Sequence, residues 1–541
     1  MKKYLFFDLK FFFTVIVYTI TITTSSAQIN QNTENQIKDV IRKAAEYFDK
    51  NLSVNGGYVW TYKQDLSRRW GEMEAYPSMV WVQGPGTVEM GHLFLDAYET
   101  TKDEYFYNLA KKSAEALIKG QLKCGGWNYM IDFAGEESLK KWYSTIGANG
   151  WRMEEFQHYY GNATFDDNVT AGASKFLLRF YLLKKDKHVK NALDKAIKFI
   201  LESQYPNGAW PQRFPLDNVD CQKNYTCFYT FNDNVIWNNI KFLILCYETL
   251  SYKNLIEPIK KGMNFYLISQ YKNPQAGWAL QYNLNLEPAA ARTYEPASLD
   301  PQYTARHIEM LIKFYELTGD KKFIERIPDA LNWIQSVVLE QKDSLALIPK
   351  FVELKTNKPI YIHRKGTNVK FGKYFCDYDN QNIPIHYPCV RMININNLKR
   401  QYEKAKELNL ENSSYLQFPF SIKNYNPIEI YKKIDEYLKL PSEKVFDNHK
   451  QEATLNKVQE IISQLDSENR WLTKNVFISN PYIDGEVSGD SNTNLYCSSY
   501  VGDKFDTSPF PNNTDEKFIS TSLFIQNVSY LLRYLKVINE K

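Results

Sequence analysis

The feature that most constrains the fold is a pair of helical segments that recurs every roughly 70 to 80 residues. Four segments are amphipathic, with apolar residues spaced three and four apart, and each follows a segment that is apolar around more of its circumference. We predict that the amphipathic helices lie outside and the apolar helices inside. The outer helices are Asn108–Gln121, His188–Gln204, Leu255–Gln270 and Phe323–Ser336, and the inner helices are Val88–Thr100, Val169–Leu183, Val235–Thr249 and Thr304–Thr318.

Repeated inner and outer helices predict an all-α fold, either an α/α toroid or an α-solenoid. The links between the pairs are long and irregular, which favours a toroid with functional loops at one end over a solenoid with short uniform turns. Three of the links carry a glycine-containing turn followed by Trp127, Trp210 or Trp278. These indoles either close each hairpin as buried pegs or stack on sugar rings.

The repeat fades beyond Leu398, so we divide the mature chain into a toroid over 28–399 and a C-terminal extension over 400–541. The extension is predicted to pack on the toroid, and its sequence indicates no function. It contains three helical segments and a polar stretch. These are Pro427–Leu438, Leu455–Leu465, Leu523–Leu535 and Asn480–Asn513.

Residues 1–27 are typical of a secretory signal peptide. Lys2 and Lys3 precede an apolar run that ends near the small residues of a cleavage site at Ala27. A membrane anchor is the alternative, but Asp8 and Lys10 interrupt the run and leave it short for a span. We therefore predict a secreted or periplasmic protein whose mature form has no membrane span.

The seven cysteines allow small-loop disulfides in an oxidising compartment. Cys221 with Cys227 and Cys376 with Cys389 are close enough in sequence to pair, whereas Cys246 lies in an apolar helical run and is expected to be a buried thiol. No cysteine and histidine set has the spacing of a zinc site.

The composition narrows the classes of ligand. Hydrophobic residues make up 44% of the 541 residues and charged residues 24%, which is typical of a globular chain. A formal net charge of +4 is too small for a nucleic-acid binder of this size. An acidic ligand would have to meet a local cluster of Arg and Lys.

Two acid and amide clusters stand immediately before inner helices. They are Asp166-Asp167-Asn168 and Asn232-Asp233-Asn234. Asp and Asn are favoured helix caps, which is one explanation. The second explanation is an oxygen-rich site for a hard cation such as Ca²⁺, because the two clusters occupy equivalent positions in the repeat.

Three arginines are candidates for binding a carboxylate-bearing ligand. Arg213 and Arg364 lie in two loop motifs, PQR and HRKG, and Arg292 lies in the link before the fourth inner helix. A guanidinium binds a carboxylate with two parallel hydrogen bonds. The alternative for Arg292 is structural pairing with Glu287 or Glu295.

At these residues the sequence resembles the pectate lyases of polysaccharide lyase family 10. The resemblance covers roughly residues 75–370. The matching stretches are QGPGT, GGWNYMIDF, ATFDDNVT, QYPNGAWPQRFP, TFNDN, PAAARTYEPASL and PIYIHRKG. The resemblance implies an (α/α)3 toroid that binds Ca²⁺ and cleaves polygalacturonate by β-elimination.

The resemblance also implies site residues. Arg292 would be the base, Asp166, Asp167 and Asp233 the calcium-site carboxylates, and Arg364 a ligand for a substrate carboxylate. The remaining predicted substrate-binding residues are Arg213, Asn232 and Tyr294.

The chain departs from the family pattern in three places. The acid and amide after Asp166 are exchanged, Arg364 is followed by Lys rather than Asp, and Asp377–Val390 lacks the downstream arginine pattern. These changes affect substrate binding more than the base. Besides a pectate lyase, we therefore keep as alternatives a non-catalytic pectin-binding protein, an inverting glycoside hydrolase and a protein-binding solenoid. We expect the protein to act as a monomer.

Overall fold

The computed structural model describes residues 31–151, 153–217, 219–366, 369, 372–385, 387–423, 425–445, 453–484 and 498–539. The predicted signal peptide, 1–27, lies outside the described residues, as does Cys497.

The described part of the chain is mainly helical. Its helices are α1 (31–47), α2 (Thr87–Thr101), α3 (Glu104–Gly120), α4 (Glu136–Ser144), α5 (Val169–Lys184), α6 (Lys187–Glu202), α7 (Val235–Thr249), α8 (Ile256–Ser269), α9 (Pro301–Thr318), α10 (Lys322–Glu325), α11 (Ile327–Ser336), α12 (Ile395–Glu407), α13 (Pro427–Tyr437), α14 (Pro441–Val445), α15 (Leu455–Ser463) and α16 (Thr521–Asn539).

Short strands connect and brace the helices. They are β1 (Thr61–Lys63), β2 (Arg69–Trp70), β3 (Glu74–Ala75), β4 (Met79–Trp81), β5 (Met130–Asp132), β6 (Ala163–Thr164), β7 (Arg213–Phe214), β8 (Tyr229–Thr230), β9 (Gln281–Tyr282), β10 (Glu340–Lys342), β11 (Leu345–Pro349), β12 (Phe351–Val352), β13 (Pro359–Lys365), β14 (Lys373–Asp377), β15 (Val390–Ile393), β16 (Leu472–Thr473), β17 (Phe477–Ile478), β18 (Phe510–Pro511) and β19 (Phe518–Ser520).

The predicted fold class, helical hairpins with inner and outer members, is confirmed. Helix α2 packs on α3, α5 on α6, α7 on α8, and α9 on α10 and α11, so the described residues form four hairpins where the resemblance implied three. Asp103, Asp186 and Asp300 cap α3, α6 and α9 by accepting backbone N–H bonds. The fourth outer helix, predicted as one segment, is divided into two because Pro328 lies at the start of α11.

The three turn tryptophans are buried pegs. Trp127, Trp210 and Trp278 have no exposed surface, and each indole Nε1 donates a hydrogen bond of 2.8 Å to a backbone carbonyl of the preceding outer helix. Stacking on sugar rings is therefore wrong for these three residues. Trp471 makes the same 2.8 Å bond to Ile461 of α15, so the peg recurs in the C-terminal segment.

The C-terminal segment is joined to the toroid at two places. Strand β19 pairs with β1, and α16 packs on the inner helix α2. Helix α13 packs on the inner helices α5 and α7, where Asp435 pairs with Lys175 at 2.6 Å. Two large apolar cores form, one with members from 37–196 and 458–535 and the other with members from 163–440.

One predicted disulfide is present and the other is not. Cys221 and Cys227 are bonded, whereas Cys376 and Cys389 are free thiols among the described residues, so the prediction of a bridge between those two is wrong. The buried Cys389 thiol is held instead by the backbone, accepting from Ile362 N–H at 3.3 Å. Cys246 is a buried thiol as predicted. Within the described ranges, no helix combines the length and the apolar character needed to cross a membrane.

Candidate active site

The candidate site lies where the inner helices begin. Residues Asp166–Asn168 form a tight turn that leads into α5, and Asn232–Asn234 form the equivalent turn before α7. The two turns pack against each other. The repeat therefore brings the two acid and amide clusters together, as the sequence analysis expected.

Both turns share an unusual backbone conformation. Asp167 and Asn168 have φ values of 46° and 59°, and Asp233 and Asn234 have 51° and 57°. Asp and Asn tolerate this left-handed region better than most residues. Neither Asn168 nor Asn234 makes a side-chain cap bond. The helix-cap interpretation of the clusters is therefore wrong.

Arg292 is the centre of the site and contacts three carboxylates. Its Nη2 donates to Asp166 Oδ2 at 2.7 Å, its Nε to Glu155 Oε2 at 3.0 Å, and its Nη1 to Glu295 Oε1 at 3.2 Å. The residue is only 6% exposed. The alternative of pairing with Glu295 is thus partly right, because that pair exists within a larger network.

This network favours the charged guanidinium. Burial works against the charge, but Asp166, Glu155 and Glu295 outweigh burial and hold the pKa of Arg292 well above its usual value. In the metal-free protein, Arg292 is therefore protonated. Any loss of negative charge from these carboxylates would lower its pKa.

Asp166 and Asp233 form a carboxyl pair. Each carboxyl group affects the ionisation of the other, and Tyr129 donates its hydroxyl to Asp166 Oδ2 at 2.5 Å. Burial opposes ionisation of Asp166, but Arg292 and Tyr129 outweigh it and lower the pKa of Asp166. Burial and the facing Asp166 charge raise the pKa of Asp233 well above its usual value.

Asp167 and Glu72 are bridged by one amide. Gln83 Nε2 donates to Glu72 Oε2 at 2.8 Å and to Asp167 Oδ2 at 2.9 Å. Burial and the charges of Asp233 and Asp166 raise the pKa of Asp167 well above its usual value. Burial and the charge of Glu155 raise the pKa of Glu72 to about 7. These carboxyl groups crowd together with too few positive charges.

The donor set suits a hard divalent cation. Asp166 Oδ1 is buried and receives no hydrogen bond from the described residues. The raised pKa values of Asp167 and Asp233 reflect burial and then repulsion between carboxyl groups, and a cation would relieve that repulsion. No three acidic, histidine or cysteine residues of the described chain are already arranged as a metal centre. The residues thus fit Ca²⁺ chemically and would have to rearrange to bind it.

A cavity of about 410 Å³ opens onto this network. Five of the eight predicted site residues line this one cavity, namely Arg292, Asp167, Asp233, Asn232 and Tyr294. The remaining lining residues are Glu72, Met153, Glu155, Glu295, Gln302, Tyr303, Arg306, Lys350, Tyr387 and Tyr500.

Asn232 and Tyr294 are tied to the same network. Asn232 Nδ2 donates to Glu295 Oε1 at 3.2 Å, and its Oδ1 accepts from Tyr303 at 3.4 Å. Tyr294 packs its ring against Tyr374 and Tyr387, with centroid distances of 5.5 and 4.8 Å. Both residues form the wall of the cavity beside Arg292.

Arg213 and Arg364 do not line that cavity. Arg213 is 1% exposed between the rings of Tyr129 and Tyr160, and its Nε and Nη2 have no hydrogen-bond partner in the described part of the chain. Tyr160 lines a second cavity, of about 800 Å³, beside the disulfide loop. Arg364 is fully buried, with its guanidinium carbon 3.4 Å from the centre of the Trp151 ring.

Sequence reasoning missed several residues that line the cavity. Glu72 and Glu155 are single acids outside any repeat, and Arg306 lies inside a predicted helix among residues assigned to packing. Lys350 is on the link between β11 and β12, a region of strands that the helical repeat did not predict. The two adjacent acids Glu154 and Glu155, just before Phe156, were the one signal in the sequence for the missed residues.

One family model matches this part of the chain. Residues 132–384 match the model described as pectic acid lyase, and this segment contains Arg292, Glu155 and all three predicted calcium-site carboxylates. With this match over just under half of its length, the chain resembles the pectic acid lyases. It is a polysaccharide lyase, and the resemblance noted in its motifs is confirmed.

Solved structures resemble this lyase only distantly. A mutant of a family 10 polysaccharide lyase from Cellvibrio cellulosa, in complex with trigalacturonic acid, is 16% identical with a TM-score of 0.40, and the match covers 60% of this chain and 99% of that one. A GH76 α-mannanase from Bacteroides thetaiotaomicron is 9% identical with a TM-score of 0.37, covering 93% and 97%. No curated protein matches the lyase in sequence. The assignment of the chain to the polysaccharide lyases therefore rests on the family model.

Proposed function

We propose that this polysaccharide lyase acts on polygalacturonate outside the cytoplasm, by calcium-dependent β-elimination with Arg292 as the base. The observation that supports the proposal best is the buried contact between Arg292 and Asp166 at the edge of a carboxylate-lined cavity, within the pectic acid lyase segment. The bound Ca²⁺ would draw electrons from a substrate carboxylate and so acidify the adjacent C5 proton.

Arg292 would take the C5 proton in its neutral form. The electrons of the C5–H bond form the C4–C5 double bond, the bond from C4 to the glycosidic oxygen breaks, and that oxygen takes a proton from water. The guanidine becomes guanidinium between Asp166, Glu155 and Glu295, which stabilise the new charge. The same carboxylates therefore stabilise the product state of the proton transfer.

The carboxylates also explain why the base needs a cation. Three acids around Arg292 raise its pKa, which opposes a free neutral guanidine. Engagement of Asp166 and its neighbours Asp167 and Asp233 by Ca²⁺ would reduce the negative charge that Arg292 senses. Calcium binding and the basicity of Arg292 are thus linked through Asp166.

The inverting-hydrolase alternative is disfavoured by the acids themselves. An inverting glycosidase separates its two carboxyl groups by roughly 6.5–9.5 Å to admit a water molecule. Asp166 Oδ2 is instead held by Arg292 at 2.7 Å and by Tyr129 at 2.5 Å, so it is not free to activate a water molecule. A pectin-binding protein without turnover would have no need for the buried Arg292 network, which favours the enzyme.

The products of a polygalacturonate digest test this proposal. Elimination gives a new unsaturated, ultraviolet-absorbing chain end that is lighter by one water than the hydrolysis product, so absorbance and product mass should identify it. Reducing ends that appear without absorbance would mean hydrolysis. Binding of the polymer without new chain ends would mean a binding protein.

A further inference from the structure

Two cations that make no direct ion pair with a described residue line the active-site cavity. Arg306 and Lys350 both face the cavity, and neither makes an ion pair or side-chain hydrogen bond within the described part of the chain. Five carboxyl groups line the same cavity, at Glu72, Glu155, Asp167, Asp233 and Glu295, but they are engaged with Arg292, Gln83 and one another. The cavity lining therefore carries two cations in addition to the Arg292 and carboxylate network.

The fold holds both cations in place. Arg306 lies one turn into α9 after Tyr303, whose ring centre is 5.6 Å from the guanidinium carbon. Lys350 is only 7% exposed, its ammonium nitrogen is 4.7 Å from the centre of the Tyr387 ring, and its backbone N–H donates to Cys389 at 2.7 Å. The nearby buried Asp300 carboxyl interacts with the Lys350 charge without a direct ion pair, and packing against aromatic rings holds both cations in place.

An unpaired cation at a largely buried position is costly unless a ligand supplies the missing charge. A ligand that complements these cations is an anion. It must also contact the carboxyl groups of the cavity, either through a bound cation or through its own hydroxyl groups. A chain of uronic acid residues has this chemistry, with one carboxylate and several hydroxyl groups on each sugar.

Resting on the proposed function, we propose that Arg306 and Lys350 bind the carboxylate of a uronate residue next to the one that reacts. The residue to which sequence motifs assigned such a role, Arg364, has no exposed surface and stacks on Trp151 outside the cavity lining. In this chain, recognition of the substrate carboxylate is thus carried by the α9 helix and the link between β11 and β12. The pair selects free acid over methyl ester.

Kinetics on two substrates test the assignment. The test measures KM and kcat of Arg306→Gln and Lys350→Met on polygalacturonate and on highly methyl-esterified pectin. The control variant is Arg400→Gln, at an exposed arginine of α12. Loss of a charged hydrogen bond should raise KM for polygalacturonate about tenfold or more in both test variants, with kcat changed less than about threefold. KM for the esterified substrate should change little. An unchanged KM on polygalacturonate, or equal losses on both substrates, would overturn the proposal.

Further measurements distinguish three causes of a negative result: a variant that is not folded, a protein that is not a pectate lyase, and a carboxylate that Arg306 and Lys350 do not bind. Arg306→Lys keeps the charge and should lose less affinity than Arg306→Gln, and thermal melting checks that each variant is folded. Calorimetry with trigalacturonate needs no turnover. If the wild type binds trigalacturonate but forms no unsaturated product, weaker binding by Arg306→Gln still supports the assignment, and equal binding refutes it. A wild type that does not bind trigalacturonate also refutes it.

Discussion

Arg292 and Asp166 form a buried ion pair, with 2.7 Å between Nη2 and Oδ2, that joins the loop before helix α9 to the turn before helix α5. The pair couples the predicted base to the predicted calcium carboxylates. A change in the charge of either residue therefore shifts the pKa of the other.

Arg292→Ala should abolish elimination while leaving substrate binding largely intact. Removing a general base typically costs ~10²–10⁴-fold in rate, and no other cation with a carboxylate network lines the described cavity. The initial rate of unsaturated-product formation measures the loss, with Arg400→Gln as control. Calorimetry with trigalacturonate and Ca²⁺ measures binding. A rate near that of the wild type would remove Arg292 as the base.

Glu155→Gln should move the pH–rate profile to lower pH. Glu155 accepts from Arg292 Nε at 3.0 Å and helps to raise the pKa of Arg292, so removing its charge lowers that pKa. Activity in the wild type should rise above neutral pH as Arg292 loses its proton, and the rising limb should appear earlier in the variant. A limb that stays in place, or moves to higher pH, contradicts this role for Glu155.

Asp167→Asn and Asp233→Asn should weaken calcium binding. Asn keeps a side chain that tolerates the left-handed backbone at these positions, so the substitution removes charge with little added strain. Loss of one charged oxygen ligand should raise the calcium concentration needed for half-maximal activity about tenfold or more. A calcium titration of the initial rate measures this, and an unchanged midpoint in both variants would exclude these residues as ligands.

Stability of the calcium-free protein should fall as the pH rises from about 4.5 towards 7. Burial raises the pKa of Glu72 and of Glu89 to about 7, so the folded state keeps protons that the unfolded state releases near a pKa of 4.5. The stabilisation is complete below the unfolded pKa and is lost as the pH rises through the folded pKa. For Glu72 the shift corresponds to on the order of 3 kcal/mol.

Glu72→Gln and Glu89→Gln form a matched pair for this effect. Glu72 lines the cavity and Glu89 lies in α2 outside it, so both variants should raise the melting temperature of chelated protein at pH 8 relative to the wild type. Calcium should reduce the effect of Glu72→Gln and leave that of Glu89→Gln unchanged. If calcium changed the melting-temperature effect of both variants equally, Glu72 would not be part of the cation site.

Trp210→Phe should cost stability without affecting substrate affinity. The indole donates to Ile200 O at 2.8 Å, and because Ser203 Oγ also donates to that carbonyl at 3.1 Å, the loss is that of one buried hydrogen bond, about 0.5–1.5 kcal/mol. Urea unfolding measures the loss. A raised KM with unchanged stability would revive the sugar-stacking interpretation.

The helical hairpins were predictable because their apolar periodicity is strong and local. The inner helix Val235–Thr249 was predicted with its observed bounds. The strands from 340 to 393 were missed because they are short and lie outside the repeat. Repeat position also located Asp166 and Asp233 before their helices, whereas the capping interpretation failed because propensity does not reveal a positive φ.

The rest of the candidate site depends on contacts between distant parts of the chain. Glu155 and Arg292 are 137 residues apart, and no periodicity links them. Arg364 lies in a recognisable motif, yet its side chain stacks on Trp151, because motif identity does not fix where a long side chain packs. The order of the motifs therefore predicted the reaction class better than it predicted the residues that hold the substrate.

The most direct test of the account is the ultraviolet absorbance of a polygalacturonate digest, first with added calcium and then with a chelator. If the enzyme is a calcium-dependent lyase, the absorbance should rise steadily, stop rising when the chelator is added and rise again when calcium is restored. A flat trace with calcium present, or a rise that the chelator does not affect, would contradict it.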